Sequence, residues 1–587
     1  MAGILVACLC GAFNGFLVAG LKIQPMVATL ILYSAGRAIG LLLCNSNIVY
    51  INVESFKFFG GYCWIFPTPI LITVVCIAIT ALVLKFTALG TYVQAVGINK
   101  EAARISGYKS AAIIFICYVA CGLFAGIAGI TATSRIYSAD TNNIGLNLEM
   151  DAILAVALGG NSLGGGKFRL SGSIIGAYTI QAITTTLYAL GVSSAQAPVF
   201  KAVIVILIVT IQSPAVKAYF SQARRRQERH DERRKGGAGM IHAKPAVKEK
   251  KSMNSNTILL LLTIGLFVVM YAAGCIAYAD KGFTKLQTFL DILKNNAGLI
   301  CVTCGMTAVM ITGGIDISVG AVIAMECMFL AVGVESWGLP AQLLIPLMLV
   351  IGVVFGIIQG YCVGYLGIQP FIVTMAGMFF ARGMTAVIST QQVSITSSSL
   401  MTELSMMKFN MPFEIGAYLN KKGKLMVPNV SIYVIIALLV LVATFFILRY
   451  TRFGRSLYAV GGNQQSAALM GLDVRRTRFN AHIFCSVLTS IGAICYVLNT
   501  MCGTTRQALG LEMDAISSAV IGGTLLTGGV GNVIGTLFGV LINGTITSIV
   551  QTNGKLASSW PNILTAALLC FFIVLQSIFA KLKEKNK

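Results

Sequence analysis

Long apolar runs recur along the chain, separated by short polar stretches. A first group lies near residues 2–20, 24–44, 67–86, 113–134, 151–163, 172–190 and 199–219. A second lies near 257–279, 296–313, 318–335, 342–364, 370–390, 431–449, 479–499, 513–526, 532–551 and 561–580. Most approach the ~20 residues an α-helix needs to cross a hydrocarbon core about 30 Å thick. The pattern predicts an all-α polytopic membrane protein with about seven plus ten transmembrane segments. The runs at 151–163 and 513–526 are short for a span and predict half-helices or re-entrant pieces.

Between the groups lies a stretch unlike the rest, SQARRRQERHDERRKGGAGMIHAKPAVKEKKS at 221–252. Its eleven Lys/Arg and four Asp/Glu make it too polar to bury and too basic to cross a membrane readily. It predicts a flexible cytoplasmic linker over 221–255, compatible with contact to anionic membrane lipid. The expected modules are then 1–220 and 256–587.

The modules repeat one another. KIQPMVAT at 22–29 recurs as GIQPFIVT at 367–374, and Arg37 recurs as Arg382 in the same register. Gly97 and Asn99 recur as Gly461 and Asn463, Gly107 as Gly471, and Glu149-Met150-Asp151 as Glu512-Met513-Asp514. Gly159-Gly160 recurs as Gly522-Gly523. The offset stays between 345 and 364 residues, so the chain is two related membrane bundles in tandem. The first copy starts at the counterpart of residue 346, inside a span. It reads as truncated at its N-terminus, without the second copy's first three spans.

Charge then orients the bundles. The loop before Phe479 carries Arg449, Arg452, Arg455, Arg475, Arg476 and Arg478 against Asp473 alone, and its counterpart carries Lys85, Lys100, Arg104 and Lys109 against Glu101. Both are assigned to the cytoplasm, as is the lysine-rich tail. Ten spans in the second copy satisfy this. The loop 392–430, assigned outside, fits less well because it holds Lys421, Lys422 and Lys424. Overall, 56% of residues are hydrophobic and only 11% charged, which excludes a soluble enzyme or a disordered chain. The net charge of +23 sits in loop clusters without a groove-binding or RNA-binding motif, so no nucleic-acid partner is expected. The 16 cysteines fall mostly within apolar runs, and Cys301-x-x-Cys304 has no second pair or histidine cluster to make a zinc site. With only three histidines, no metal site and no catalytic residue are expected.

Two loop motifs offer the first candidate function. In Gly97-Ile-Asn-Lys-Glu-Ala-Ala-Arg-Ile-Ser-Gly107, Asn99 can cap a helix N-terminus and Glu101 favours its first turn. Ala102 favours helix, and Gly107 can end it in the left-handed conformation. The second copy repeats this from Gly461 and Asn463 to Gly471, with Gln465 in place of Glu101. Each is either a structured interhelical turn or a docking helix for a cytoplasmic partner.

These loops, the Met-Asp-Ala…Gly-Gly segments and TGGIDISVG at 312–320 resemble the permease subunits of bacterial ribose- and galactose-type sugar ABC importers. The likeness covers nearly the whole chain outside the linker. The tandem pair is similar to the two permease subunits of a galactofuranose importer, through KIQPMVATLIL, SAALMGLD and VIGGTLLTGGVGNVIGTLFG. The resemblance implies a multi-pass protein of the bacterial inner membrane. It also implies cytoplasmic ABC ATPase subunits, an extracytoplasmic sugar-binding protein, and ATPase coupling through residues 99–107 and 463–471.

Other residues are candidates for the substrate path or its gate. Asp316 lies at membrane depth among Gly313, Gly314 and Gly320, with Ser318 nearby. It either lines a broken helix at the path or holds the break together by accepting freed backbone N–H groups. Arg37 and Arg382 lie within spans and serve packing, or contact with a sugar or gate. Asp151 and Asp514 start the short segments as helix N-terminal anions or as gate contacts. Gly166-Lys167 suggests a phosphate loop but fails, because Asn161 stands where the first glycine belongs and Phe168 replaces Ser/Thr. No cofactor is therefore expected, and ATP would be bound by a separate subunit. The alternatives are an ion-coupled secondary transporter, for which Asp316 is the one carboxylate clearly placed in a span, and a non-transporting scaffold.

Overall fold

A computed structural model describes residues 2–161, 165–212, 255–419 and 425–585. The basic stretch 221–252 and Lys421, Lys422 and Lys424 lie outside the described residues, as does Gly164.

The first module comprises α1 (Ala2–Gly15, continued by a π turn over Phe16–Gly20), α2 (Pro25–Leu43), α3 (Thr68–Phe86), α4 (Leu89–Ile98), α5 (Lys100–Ile105), α6 (Ser110–Ile136), α7 (Leu148–Leu158), α8 (Leu170–Ala189) and α9 (Ala197–Gln212). The second begins with α10 (Ser255–Ala277), α11 (Leu286–Asn295), α12 (Ala297–Ile311) and α13 (Val319–Glu335), which have no first-module counterpart. The shared plan then repeats as α14 (Ala341–Gly364), α15 (Pro370–Ile388), α16 (Ile432–Tyr450), α17 (Arg452–Gly462), α18 (Gln464–Leu469), α19 (Val474–Thr500), α20 (Leu511–Ile521), α21 (Val533–Asn553) and α22 (Trp560–Lys585). Among the described residues strands are confined to short two-stranded pairs, and the chain is all-α with two tandem modules. Among the described residues, ten helices are long and apolar enough to cross a membrane, or eleven if α11 and α12, bent by 56°, count as one span. The short runs read as half-helices form α7 and α20, each of 11 residues.

The repeat extends to backbone detail. Tyr137 and Met501, 364 positions apart, end α6 and α19 in the left-handed region at φ 52° and 49°. The strand residues after them pair with Val49–Tyr50 and Val393–Ser394 respectively. Gln24-Pro25 and Gln369-Pro370 start α2 and α15 with proline at the first helical position, where its missing N–H is harmless.

Packing explains the glycine content. Gly352, Gly356, Gly360 and Gly364 form one face of α14, set against Ser490, Ile483, Phe479 and Arg475 of α19. Gly11 and Gly15 set α1 against Tyr118 and Phe115 of α6 in the same way. Small residues at this spacing let two backbones approach where the apolar solvent supplies no hydrophobic drive.

The modules differ in what covers α6 and α19. Cys485 on α19 is wholly buried under α12, where Gly305 packs on it, while its counterpart Cys121 on α6 is exposed. The face of α6 bearing Cys117 and Cys121 is thus the face α12 covers in the second module.

The two modules meet through equivalent helices. α2 packs on α22, and its counterpart α15 packs on α9, the counterpart of α22. Ser577 Oγ donates to the Leu21 carbonyl at 2.7 Å, and the Gln196 amide donates to the Ala386 carbonyl at 3.5 Å. Reciprocal use of the same elements is the signature of a pseudo-twofold, isologous contact.

Candidate functional site

The two loop motifs form capped helices in both modules. The Asn99 side-chain oxygen accepts from the backbone N–H groups of Glu101 and Ala102, each at 3.0 Å. Asn463 accepts from Ser466 N at 2.9 Å. An N-cap side chain satisfies donors that have no partner inside the helix. Gly107 and Gly471 follow the helices at φ 88° and 81°, values that favour glycine. Glu101 also pairs with Arg104 at 3.1 Å on the exposed surface. Ala103 and Ala467 face inward and are buried, while Ile105, Leu469 and Met470 project with 83%, 90% and 70% of their surface exposed. Each module therefore holds out a short, rigid, partly apolar tip on its basic side. Glu101 and Ala102 lie on the exposed surface of α5, and Gln465 on that of α18.

Behind each tip is a glycine joint. Gly461, on the last turn of α17, packs so closely that a methyl group there would overlap the Ile311 carbonyl oxygen. Gly528 presses on the Gly461 carbonyl and on the Gly313 backbone, and Gly529 N donates to the Ile311 carbonyl at 2.8 Å. Gly97 meets Gly165 and Gly166 equivalently in the first module. In the second module the joint thus binds the helix leading to the capped tip directly to the break between α12 and α13.

That break carries Asp316. Its Oδ1 accepts from Ser318 N at 3.0 Å and from Ser318 Oγ at 2.6 Å. The Gln359 amide of α14 donates to Ser318 Oγ at 2.9 Å. Of the two readings of Asp316, this geometry favours a carboxylate that holds the broken helix together. The network also contains two residues outside the sequence reading. His482 of α19 sets its Nδ1 3.8 Å from Asp316 Oδ2, and both side chains are almost completely buried. The first module has Tyr118 in place of His482 and Asn14 in place of Gln359. The Asn14 side-chain oxygen is buried without a partner, as is that of Gln359.

Asp316 is also not the only carboxylate within a span, which corrects the expectation above. Glu326, midway along α13, is fully buried and accepts from Ser490 Oγ at 2.6 Å. It lies in an unbroken apolar run, and only the fold brings in its partner from 164 residues away.

The two arginines do the same work in each module. Arg37 donates to the carbonyls of Thr141 and Asn142 at 2.6 and 3.2 Å. Arg382 donates to those of Gln507 and Ala508 at 2.6 and 3.1 Å. Both hold down the loop that descends to the half-helix, α7 or α20. The loops meet across the modules, where Arg506 donates to the Asn143 side chain at 2.9 Å and Asn143 in turn donates to Asp140 at 2.5 Å. Hydrogen bonds from the Asn143 side chain and the Asn142 backbone hold the Asp140 carboxyl below its usual range. Next to each arginine, Glu149 and Glu512 each bury one carboxylate oxygen without a partner. Asp151 forms an ion pair with Lys201 at 3.0 Å, whereas Asp514 lines an open cavity of about 400 Å³ with Tyr496, Thr500, Thr504, Arg506 and Gln507. The structure brings Arg37 and Arg382 to this region. It places Asp316 and Ser318 at the α12–α13 break instead. Among the described residues no cluster of His, Cys, Asp and Glu could hold a metal ion.

The model of a permease family, described as the branched-chain amino acid transport system permease component, matches residues 1–211 and again 288–575. The chain belongs to this permease family. Among its relatives, the inner membrane ABC transporter permease protein YjfF of Escherichia coli K12 is 40% identical over 328 residues, which are 56% of this chain and 94% of that protein. The fructose import permease protein FruG of Bifidobacterium longum is 32% identical over 332 residues, 56% of this chain and 94% of that protein. The galactofuranose transporter permease protein YtfT of Escherichia coli K12 is 45% identical over 206 residues, 35% of this chain and 60% of that protein. No solved structure matches. With its apolar helices and these sugar-permease relatives, the chain is a multi-pass protein of the bacterial inner membrane and a tandem pair of permease modules.

Proposed function

We propose that this permease forms both halves of the membrane pore of an ATP-driven importer for a monosaccharide of the pentose or hexose class, with galactofuranose the first candidate. Cytoplasmic ATPase subunits bind the tips at 99–107 and 463–471. An extracytoplasmic sugar-binding protein delivers the solute to the opposite side. The observation that carries the reading is the pair of capped helices. Each exposes an apolar tip, and each is joined through glycine to the transmembrane bundle behind it. Ile105 on one tip, and Leu469 with Met470 on the other, offer an ATPase partner apolar surface to cover. Because the joint at Gly461 touches the break held by Asp316, movement of an attached motor reaches the membrane helices through backbone contact. Arg37 and Arg382 steady the loops on the far side, and Asp316 and Ser318 keep the break in one conformation while it moves. The chain performs no covalent chemistry, and its tandem form fixes the two unlike modules at one to one.

Reconstitution tests this. Proteoliposomes holding the chain, an ATPase and a binding protein should import labelled galactofuranose, fructose or ribose when supplied with ATP. Import should stop when either partner is omitted. Uptake driven by an ion gradient without ATPase would replace the reading with secondary transport. No uptake under either condition would favour a scaffold.

A further inference from the structure

The cavity beside α20 is unequal between the modules, and the inequality has a chemical meaning. Asp151 and Asp514 occupy the same place in the repeat, on the first turns of α7 and α20. Asp151 is neutralised by Lys201 of α9, whose ammonium is also hydrogen-bonded to both carboxylate oxygens. The repeat aligns Pro198 with Pro561, so the counterpart of Lys201 on α22 is Leu564. Among the described residues Asp514 consequently forms no ion pair, and its carboxylate makes no hydrogen bond. It faces the 400 Å³ cavity instead, a volume suited to a small-molecule site. The other walls supply hydroxyls from Tyr496, Thr500 and Thr504, the Gln507 amide and the Arg506 guanidinium. Arg506 and Gln507 are themselves fixed. Arg506 is bonded across to Asn143, and the Gln507 amide donates to Thr500 Oγ1 and the Cys502 carbonyl at 3.1 and 3.0 Å.

We infer that this cavity is a transit site for a neutral, hydroxyl-rich solute, with Asp514 accepting its hydroxyl hydrogens, and that only the second module provides it. A carboxylate with all its acceptor sites free can take two vicinal hydroxyls at once, whereas one held by a lysine at both oxygens has fewer sites to offer and its charge already neutralised. Asp514 repels an anionic group placed against it, and Arg506, the cation on the cavity wall, is already engaged with Asn143. A purely apolar solute would cover the Asp514 carboxylate without giving it a hydrogen bond. The site lies at the far end of α19 from the docking tip, about 40 Å away at 1.5 Å per residue over its 27 residues. The inference rests on the importer reading for the identity of the solute class.

Cys502 lines the same cavity and is a built-in reporter. The full chain would be treated with a hydrophilic methanethiosulfonate, with and without millimolar galactofuranose, fructose or ribose, and modification of the Cys502 peptide followed by mass spectrometry. At least one sugar should slow labelling severalfold. Asp514→Asn should abolish protection, read as the ratio of the variant's own rates with and without sugar. Leu564→Lys, which recreates the first module's ion pair, should also abolish it, and Asp151→Asn should not. Labelling unaffected by every sugar, or full protection in both Asp514→Asn and Leu564→Lys, would overturn the assignment. ATP-driven uptake measured in parallel separates the two ideas: uptake without protection sinks the transit site alone, and absence of uptake sinks the importer reading.

Discussion

Replacing Gly461 by alanine perturbs the joint at its tightest point. The added methyl would overlap the Ile311 carbonyl oxygen and crowd the Gly529 backbone nitrogen. Both neighbours are main-chain atoms on different elements, so neither can turn aside as a side chain would. Overpacking of this kind costs about 1–3 kcal/mol. If the strain is confined to the state with the joint closed, it shifts the balance of states by about 5–150-fold. Gly462→Ala is the matched control, since a methyl there would meet nothing within 4 Å. The assay is sugar imported per ATP hydrolysed in proteoliposomes, with the melting temperature measured alongside. Gly461→Ala should lower import per ATP more than it lowers ATP hydrolysis, and Gly462→Ala should match the parent. Import and coupling at the parent's level in a folded Gly461→Ala protein would refute a mechanical role for the joint.

Asn463→Ala should weaken docking through loss of the cap, worth about 1 kcal/mol or roughly fivefold in ATPase affinity, and Asn463→Asp should retain it; binding to immobilised chain reads this. Ser490→Ala should lower the melting temperature by removing the hydrogen bond to Glu326, a loss of about 1–3 kcal/mol. Glu326→Gln should melt no lower than the parent. Asp316→Ala should destabilise similarly by freeing the Ser318 N–H and hydroxyl, with Asp316→Asn retaining most of the stability because an amide oxygen can still accept; thermal melting distinguishes the pair. In detergent, a small maleimide should modify Cys117 and Cys121 but leave Cys301, Cys304, Cys327 and Cys485 intact, as detected by peptide mass.

Local features were legible in the sequence because their causes are local. The spans follow from apolar length. The caps at Asn99 and Asn463 follow from a residue type that accepts hydrogen bonds just before a helix former, and the half-helices from runs too short to cross. The tandem plan was legible because Arg37 and Arg382, like Asp151 and Asp514, keep register over hundreds of residues. What stayed hidden depends on chain segments meeting in space. Nothing near Glu326 in sequence announces Ser490, and nothing near Asp316 announces His482 or Gln359. The role of the arginines was open because the carbonyls they hold lie more than a hundred residues away. The difference between Asp151 and Asp514 likewise appears only once α9 and α22 are laid beside the half-helices, since a single Lys201-for-Leu564 exchange carries it.

The account stands on attachment of an ATP-hydrolysing partner to the two capped tips. Introducing single cysteines by Ala102→Cys and Gln465→Cys, then cross-linking membranes that contain the ATPase with a short bifunctional thiol reagent, reads that attachment directly. The account predicts a cross-linked ATPase band from each position, with a yield that changes when ATP is added. ATP-dependent sugar uptake with no cross-link from either position would contradict it.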